Sequence, residues 1–430
     1  MESNLPPLGL GYIASYLRQY YGNLDINISN NLEDIIRFKP DIVGITGYTQ
    51  NFEIVKKMSA HIKQELSIPI IIGGHHITAV PQNLPESCDI GVIGEGEETM
   101  HQLLIKYEKT GLSKESLYSV KGIVFKDSSL VITEKRELIE PLDRIPYPAR
   151  NLFELKTQST HIITSRGCPY RCSYCSSCIF WEKVRMFTPE YVVNEIEQLI
   201  DKYGIKNIYI YDDIFILNKE RVKRISELIE QKGINSKVSF SVQARVNLIS
   251  EEICQCLKKM NVTGIGFGFE SGSENMLKSL KGSSVSISQT TKTIELCKKY
   301  EFSVFGPFII GSPYETKKDI IKSIEFFKKQ PIDNSDIYIA TPLPGTQMWD
   351  YAIKRNLVNY EMDWSILDPY ITDTDQILNR NVILSDKISK QELLELYLQF
   401  KSEILKKNKQ IKSIEQKSLF NKIKALFYRG

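Results

Sequence analysis

The chain has few cysteines for its length, no long apolar run and almost no net charge. Eight cysteines in 430 residues are too sparse for the disulfide framework of a small secreted domain. No apolar stretch approaches the roughly 18 residues that span a bilayer, and the N-terminus lacks a charged-then-apolar export segment. A net charge of +3 gives no reason to expect nucleic acid as a partner. The composition therefore predicts a globular protein of the reducing cytoplasm.

Three of the cysteines lie in one short loop. Cys168, Cys172 and Cys175, in SRGCPYRCSYCSSC, have the spacing C-x-x-x-C-x-x-C, which lets three thiolates converge on one small object. Soft thiolates select iron–sulfur clusters, zinc or copper. A cluster held by three protein ligands leaves one iron open to a substrate or cosubstrate. The loop therefore predicts a three-thiolate metal site.

A structural zinc site is the main alternative reading of this loop. Such sites have four protein ligands, commonly in two C-x-x-C halves. Cys175 and Cys178 form one half, but no second half follows at the distance typical of a zinc ribbon. A zinc site would suit a non-enzymatic metal-binding regulator. Cys178 is either a fourth ligand or a free thiol beside the site.

The first half of the chain alternates short apolar runs with amphipathic stretches. The runs DIVGITG, SIPIIIGG and CDIGVIG are predicted strands, and helical apolar spacing follows them. This alternation predicts an α/β domain with a parallel doubly wound sheet over residues 1–114. Glycines gather where the strands end, which is where such sheets bind ligands. His75 and His76 are not expected to act as a pair, because neighbouring strand residues point to opposite faces.

The second half repeats the alternation, and its predicted strands end in polar residues. A hairpin and a proline-rich linker over residues 115–155 precede it. Six strand–helix repeats over 156–350 predict a partial (β/α)6 barrel. In α/β barrels the chemistry lies at the C-terminal strand ends. The candidates at those ends are Asp212, Asp213, Gln243, Arg245, Glu270, Gly311 and Glu315.

The C-terminal extension over residues 351–430 is predicted to be helical. Residues 401–430 hold nine Lys or Arg against two Glu. A basic amphipathic tail can lie on an anionic membrane, although a solvated helix is the expected form.

The cysteine loop, with Tyr174 before its third cysteine, resembles the radical S-adenosylmethionine superfamily. The resemblance implies a 4Fe–4S cluster on Cys168, Cys172 and Cys175, with the open iron bound by S-adenosylmethionine. An electron from a reductase such as flavodoxin or ferredoxin would then generate a 5′-deoxyadenosyl radical. That radical would take a hydrogen atom from an unactivated carbon of a small-molecule or natural-product substrate.

The same resemblance implies which residues hold S-adenosylmethionine. Arg245 would bind its carboxylate and Glu270 its ribose hydroxyls, which suits the chemistry of both side chains. The full implied set is Tyr174, Asp212, Asp213, Gln243, Arg245, Glu270 and Gly311.

The first half resembles the cobalamin-binding domain that precedes the radical core in one methyltransferase-like branch of the superfamily. The matching segments are PPLGLGYIASYL and the turns at residues 46–49, 73–75 and 94–97. The implied cobalamin contacts are Thr46, Gly47, Gly73, Gly74, Gly94, Glu95 and Gly96. The chain departs from the pattern in lacking a D-x-H-x-x-G motif, and its sheet is expected to lack the first strand. Cobalamin-dependent methyl transfer and a cobalamin-independent rearrangement, dehydration or oxidation therefore both stay open.

Overall fold

The structure is a computed structural model that describes residues 6–155, 157–368 and 382–427, with the backbone alone for residues 410–427. Two α/β units follow one another along the chain. Each is built on a sheet whose strands are short and mostly parallel.

The front unit has one sheet with strand order β1-β2-β3-β4-β5. Its strands are β1 Val43–Thr46, β2 Ile70–Gly73, β3 Ile90–Val92, β4 Ile123–Lys126 and β5 Leu130–Ile132. Its helices are α1 Leu8–Arg18, α2 Leu32–Phe38, α3 Phe52–Leu66, α4 His75–Ala79, α5 Glu97–Thr110 and α6 Lys114–Leu117. The three isoleucines of β2 are all buried, as expected for a parallel strand covered on both faces.

The predicted hairpin forms and extends this sheet. Strands β1 to β3 are parallel, and β4 and β5 pair antiparallel along the β3 edge. The hairpin is therefore part of the front sheet and not of a separate linker. The apolar stretch at residues 24–29, which precedes β1, is irregular.

The back unit is the predicted series of parallel strands. Its main sheet has the order β6-β9-β10-β11-β12, and a further pair, β13 and β14, continues it. The strands are β6 Ser159–Ile162, β9 Asn207–Ile210, β10 Ser239–Ala244, β11 Val262–Phe267, β12 Ser303–Phe305, β13 Phe308–Ile310 and β14 Ile337–Ile339. A small antiparallel pair, β7 Ser165–Arg166 and β8 Arg185–Met186, lies on either side of the cysteine loop.

The back unit also contains a series of helices. They are α7 Ser177–Trp181, α8 Pro189–Tyr203, α9 Lys219–Gln231, α10 Glu251–Lys259, α11 Glu274–Lys281, α12 Ile287–Lys299, α13 Lys317–Lys329, α14 Gln347–Lys354 and α15 Lys390–Phe427. Helix α8 begins at a Thr188 cap followed by proline and ends at Gly204 in the left-handed region, both common helix boundaries. The α/β fold with a partial barrel is confirmed, and its described strands form an open arrangement.

The fifth strand of the barrel is broken at Gly306 and Pro307. Single bridges pair Glu270 with Phe308 and Phe305 with Asn334 across the break. A Cβ atom on Gly306 would overlap the carbonyl oxygen of Phe267. The sharp inward bend of the sheet therefore depends on the absence of a side chain at this position.

The C-terminal helix α15 packs against α13. Lys407 Nζ donates hydrogen bonds to the carbonyl oxygens of Phe327 and Gln330, at the C-terminal end of α13 where carbonyls lack helical partners. The side chains of the basic segment 410–430 lie outside the described residues. Among the described helices, none has both the length and the apolarity that crossing a bilayer requires.

We expect Gly306→Ala to destabilise the protein, because the added methyl group collides with backbone that cannot move aside. Overpacking of this kind typically costs about 1–3 kcal/mol, measured as a lower free energy of unfolding in urea. Gly9→Ala is the matched control. Nothing lies within 4 Å of a Cβ at Gly9 in α1, so this change should be neutral or stabilising by up to about 1 kcal/mol. Equal stability of the two variants would contradict the role of Gly306.

Candidate active site

The three cysteines lie in the loop between β7 and α7, and all three are half-buried free thiols. Burial raises the pKa of the Cys168 thiol to about 11 and that of Cys175 to about 12. Arg245 Nη1 donates to Cys172 Sγ at 3.4 Å, so a fixed cation faces the loop. Desolvated thiols exchange their protons for a metal when they bind it, and the nearby guanidinium stabilises the charge of the resulting thiolates. This arrangement suits a cluster of iron and sulfide.

The cysteine side chains of the loop are not gathered into a compact metal site in this structure. Among the described residues, no three His, Cys, Asp or Glu side chains are grouped tightly enough to hold one metal ion. Cys178 Sγ lies 3.9 Å from the carbonyl oxygen of Cys175, within its own turn of chain. This contact favours the free-thiol interpretation of Cys178.

A buried ion cluster joins the front unit to the strand that enters the cysteine loop. Arg166, two residues before Cys168, pairs with Glu95 and with Glu97 at 2.5 Å each. Arg185 pairs with both carboxylate oxygens of Glu95, at 2.9 and 3.0 Å. We call Glu95, Glu97, Arg166 and Arg185 the buried ion cluster.

Arg166 also touches the far end of the loop. Its guanidinium lies 5.3 Å from the ring centroid of Trp181, the last residue of α7. One side chain of β7 therefore contacts both the front unit and the end of α7, the helix that follows the cysteine loop.

Two of the predicted cobalamin contacts are engaged within the protein itself. Both oxygens of Glu95 accept bonds within the buried ion cluster, and a Cβ on Gly96 would lie 2.7 Å from Ile13 Cδ1 of α1. Contact between the two units therefore accounts for the presence of Glu95, and packing against α1 accounts for the glycine at position 96.

The remaining predicted cobalamin contacts meet at one edge of the front sheet. The Gly47 amide donates to the Gly73 carbonyl at 3.0 Å. Gly74 has φ +102°, and a Cβ there would lie 2.5 Å from the Gly47 carbonyl oxygen and 2.9 Å from Thr46 Oγ1. Gly94, at φ +80°, donates its amide to Thr78 Oγ1 at 3.0 Å. The glycines let strand ends approach backbone to backbone.

A cavity of about 240 Å³ lies between this edge and the cysteine loop. The front unit contributes Tyr48, Thr49, Gln50, His75, Thr78 and Ala79, and the back unit contributes Ser176, Ile179, Phe180, Leu343 and Pro344. Sequence reasoning did not identify Tyr48 or Phe180. The sequence points to these two residues only through their positions, because Tyr48 follows Gly47 and Phe180 follows the cysteine motif.

The two adjacent histidines have separate environments, as predicted, although they lie at the start of a helix and not on a strand. The His75 ring stacks between Tyr48 and Phe180, with ring centroids 5.3 and 4.3 Å away, and burial lowers its pKa. His76 is fully buried, with Nδ1 3.2 Å from Thr49 Oγ1. Burial lowers the pKa of His76 to about 3, so it is a neutral core residue.

Three of the residues predicted to hold S-adenosylmethionine converge beside the cysteine loop. Tyr174 donates its hydroxyl to Glu270 Oε1 at 2.6 Å, and Lys281 Nζ lies 3.3 Å from the same oxygen. Arg245 Nη2 donates to the carbonyl oxygen of Lys281 at 3.1 Å. The structure therefore places Tyr174, Arg245 and Glu270 in one network through Lys281, which sequence reasoning did not single out.

The two adjacent aspartates differ sharply. Asp212 is buried and accepts four hydrogen bonds, from the amides and the hydroxyls of Thr164 and Ser165. Asp213 accepts one, from Ser177 Oγ of α7 at 2.5 Å. Asp212 therefore ties β9 to the chain between β6 and β7, while Asp213 retains free acceptor capacity.

Gln243 lies on β10, and Gly311 follows β13. Gln243 faces the inside of the sheet over Gly266. Gly311 has φ +78° and donates its amide to Glu315 Oε2 at 2.6 Å. Burial raises the pKa of Glu315 to about 8, and its Oε1 has no partner among the described residues. Glu315 therefore closes the turn at the end of the fifth strand as a neutral acid at pH 7.

We expect Glu95→Gln to cost about 3–5 kcal/mol, because it leaves two buried arginines short of a carboxylate. Burial alone would raise the pKa of Glu95, but Arg166 and Arg185 outweigh that effect and lower it below the ordinary 4.5. The stabilisation should therefore be complete above about pH 4.5 and be lost as the pH falls through the lowered folded pKa.

Urea unfolding of Glu95→Gln between pH 3 and 7 measures both effects. The control is Glu86→Gln, since the Glu86 side chain is almost fully exposed beside Lys126 and such pairs contribute at most about 1 kcal/mol. If the two variants lose the same stability, the buried ion cluster does not hold the units together.

The architecture and the cysteine loop agree with known proteins. Residues 162–327 match the family model of the Radical SAM superfamily, and residues 1–104 match the B12 binding domain. The chain is 34% identical over 417 residues to the uncharacterized methyltransferase PH0819 of Pyrococcus horikoshii, covering 92% of this chain and 87% of that relative.

Further relatives are more distant. The anaerobic magnesium-protoporphyrin IX monomethyl ester cyclase of Rubrivivax gelatinosus is 26% identical over 415 residues, covering 88% of this chain and 73% of that protein. The solved structure of TsrM from Kitasatospora setae, with cobalamin and a [4Fe-4S] cluster bound, matches with a TM-score of 0.73 at 16% identity, over 92% of this chain and 88% of that one. At that identity the likeness concerns the fold.

The family matches confirm the predicted enzyme with its 4Fe–4S cluster and S-adenosylmethionine, and the B12-binding match supports cobalamin, which the sequence had left open. The chain belongs to the branch of the radical SAM superfamily that carries an N-terminal B12-binding domain.

Proposed function

We propose that the protein transfers a methyl group to an unactivated carbon of a small molecule. Support comes from one feature above all: the cysteine loop runs directly into a wall of the inter-unit cavity. Cys175 is followed by Ser176, and Ile179 and Phe180 of α7 line the same cavity. A cluster and a cobalamin on the two sides of the segment formed by the cysteine loop and α7 would both be able to react with one substrate.

We assign the cluster to Cys168, Cys172 and Cys175. When bound, the reduced cluster supplies the electron that cleaves S-adenosylmethionine to a 5′-deoxyadenosyl radical, and cobalamin supplies the methyl group. Arg245 holds its guanidinium at the Cys172 sulfur and over the Tyr170 ring, 3.8 Å from the centroid. It is therefore fixed beside the cluster, ready for a carboxylate.

The other residues of the cosubstrate site bind and orient. Glu270 retains one carboxylate oxygen that accepts no hydrogen bond from the described residues, which suits a ribose hydroxyl. Asp213 likewise has spare capacity to accept hydrogen bonds, so Asp213 and not Asp212 is proposed to bind the amino group of S-adenosylmethionine. A flavodoxin or ferredoxin is the proposed electron donor.

Cobalamin is assigned to the cavity between the units. At about 240 Å³ the cavity lies below the roughly 300–1,000 Å³ of ordinary ligand sites, and a corrin ring is a large ligand. The stacked rings of Tyr48, His75 and Phe180 occupy the space where the units meet. We propose that these rings separate to admit the corrin, while the glycine edge at Gly47, Gly73 and Gly74 stays fixed.

A second candidate is a cyclisation without net methyl transfer. The observation that favours it is the similarity to the magnesium-protoporphyrin cyclase over 88% of this chain. The two candidates differ in what they consume. Methyl transfer converts one S-adenosylmethionine to S-adenosylhomocysteine for each one cleaved to 5′-deoxyadenosine, whereas cyclisation forms 5′-deoxyadenosine alone.

Mass spectrometry of the anaerobic, reduced holoenzyme supplied with methyl-labelled S-adenosylmethionine tests this difference. We expect both S-adenosylhomocysteine and 5′-deoxyadenosine to form. Formation of 5′-deoxyadenosine alone would favour the cyclisation, and absence of both would contradict radical chemistry altogether.

We expect Cys172→Ser to abolish the cluster and 5′-deoxyadenosine formation, because a serine hydroxyl is a hard, weakly acidic ligand. Iron should fall from about four atoms per chain to near zero, measured by iron and sulfide analysis after anaerobic reconstitution. Cys178→Ser is the matched control and should keep both. Equal iron loss in Cys178→Ser would make Cys178 a fourth ligand and close the cluster to the cosubstrate.

We expect His75→Ala to speed cobalamin binding severalfold, because it removes the central ring of the stack. Absorbance changes on mixing apoprotein with hydroxocobalamin measure the rate. Tyr118→Ala, an exposed aromatic residue of the front unit away from the cavity, is the control. If neither the rate nor the affinity changes in His75→Ala, the cavity is not where cobalamin enters.

A further inference from the structure

The inner face of the barrel sheet presents two ordered rows of side chains below the cysteine loop. Strand register aligns His161, Tyr209, Ser241, Gly264 and Ser303 across the five strands. Because side chains alternate along a strand, residues two positions on point the same way. The upper row is therefore Tyr211, Gln243, Gly266 and Phe305.

The two tyrosines are unusually exposed for residues on a central strand. Tyr209 is 44% and Tyr211 59% exposed, whereas Ile208 and Ile210, which alternate with them, are buried in the core. Large aromatic side chains held open inside a barrel leave apolar surface in contact with water. Something with a complementary surface is expected to cover them.

The ring of Phe305 is the third aromatic ring on this face, and it lies against the glycines of β11. A Cβ on Gly264 would lie 3.2 Å from Phe305 Cε1, and one on Gly266 would lie 2.7 Å from Phe305 Cε2. The Phe305 ring therefore lies over β11, with its edge close to both glycines. Any larger residue at these two positions would push it away.

The spacing of the strands that carry these rings leaves room for one inserted ring. Strands β9 and β11 are two strand spacings apart, about 10 Å. Stacked or offset aromatic rings keep centroid distances of about 4.5–7 Å, so two successive stacking distances fill this gap. Ser241 and Gln243, on β10 between them, provide hydroxyl and amide groups at the bottom of the cleft.

Among the described residues, the two rows carry polar groups and no charge, and Asp213 and Arg245, two positions beyond the upper row, are the charged residues that follow on the same face. The inward positions on β9 to β12 are Asn207, Tyr209, Ser239, Ser241, Gln243, Gly264, Gly266, Ser303 and Phe305. At the edge strand, His161 is only 7% exposed, its ring meets Tyr211 edge-on at 5.8 Å, and its Nδ1 has no partner. Burial lowers the pKa of His161 to about 4, so the imidazole is neutral and still able to form a hydrogen bond.

We infer that this cleft binds the substrate, and that the substrate is a flat, uncharged aromatic compound with at least one hydrogen-bonding substituent. The inference rests on the proposed function, since it names the substrate class of that site. The cleft is continuous with the cysteine loop through Arg245, which follows Gln243 by two residues and bonds to Cys172. Tyr209, Tyr211 and Phe305 bind the ring, and His161 and Ser241 receive its polar group.

The test uses two fluorescent probes with the same ring system. N-phenyl-1-naphthylamine is neutral, and 8-anilinonaphthalene-1-sulfonate carries an added sulfonate. Both are titrated into anaerobically reconstituted holoenzyme, with and without saturating S-adenosylmethionine. We expect saturable binding of the neutral probe at one site, weaker binding of the sulfonate, and no displacement by S-adenosylmethionine.

Variants place the probe in the cleft. Tyr209→Ala and Tyr211→Ala should each weaken neutral-probe binding about fivefold or more, while Tyr211→Phe should keep it. Tyr203→Ala, an exposed tyrosine at the end of the outer helix α8, is the control and should bind as the unchanged protein does. Circular dichroism establishes that each variant is folded.

Three results would overturn the inference: unchanged affinity in both Tyr209→Ala and Tyr211→Ala, equal loss in Tyr203→Ala, or tighter binding of the sulfonate than of the neutral probe. Displacement by S-adenosylmethionine would place the probe in the cosubstrate site and overturn it as well. Formation of 5′-deoxyadenosine, measured in the same samples, separates this failure from that of the proposed function. If it forms but the tyrosine variants bind normally, only the substrate class is wrong.

Discussion

The buried ion cluster is the interaction on which the arrangement of this enzyme depends. Removing ions from water is costly, and the cost is recovered only when each charged group keeps good partners. Glu95 has an arginine at each oxygen, and Arg166 bridges Glu95 and Glu97. A displacement of either unit would leave these charges buried and unpaired. The cluster therefore fixes the front sheet against β7, two residues before the first cysteine.

The fixed position of β7 also determines where the cysteine loop and α7 lie. The cysteine loop leads into α7, and α7 carries Phe180 against His75 and Trp181 against Arg166. The loop is thus held on one side by ions and on the other by rings. As a result, the cysteine loop and α7 form one short segment that carries the thiols and lines the inter-unit cavity. The barrel strands supply the remaining groups, since Arg245 comes directly after β10 and Glu270 three residues after the end of β11.

Local patterns in the sequence predicted much of this architecture. Alternating apolar runs indicated the two α/β units, and the cysteine spacing indicated the thiol loop. Glycine positions were informative where backbone must approach backbone, as at Gly74. Arg245 and Glu270 were expected near the loop because parallel strands end at a common edge, Tyr174 was named by the family resemblance, and the structure brings the three together.

The sequence was less informative where a residue's partner lies far along the chain. Nothing local indicates that Glu95 pairs with arginines some 70 and 90 residues away. Nor does the sequence indicate that Thr164 and Ser165 fill the hydrogen-bonding capacity of Asp212, whereas Asp213 keeps some of its own. The hairpin at β4 and β5 was predicted correctly, but its attachment to β3 depends on tertiary packing. The stacked rings at the cavity come from three separate segments, and only the fold unites them.

The central claim is that the cluster and cobalamin lie on either side of α7, and their magnetic interaction tests it most directly. With cob(II)alamin bound, its electron paramagnetic resonance spectrum is recorded while the iron–sulfur cluster is oxidised and again after the cluster is reduced. We predict a broadened, faster-relaxing cobalamin signal once the cluster becomes paramagnetic. A cobalamin signal that is identical in both states would place the two centres too far apart and contradict this arrangement.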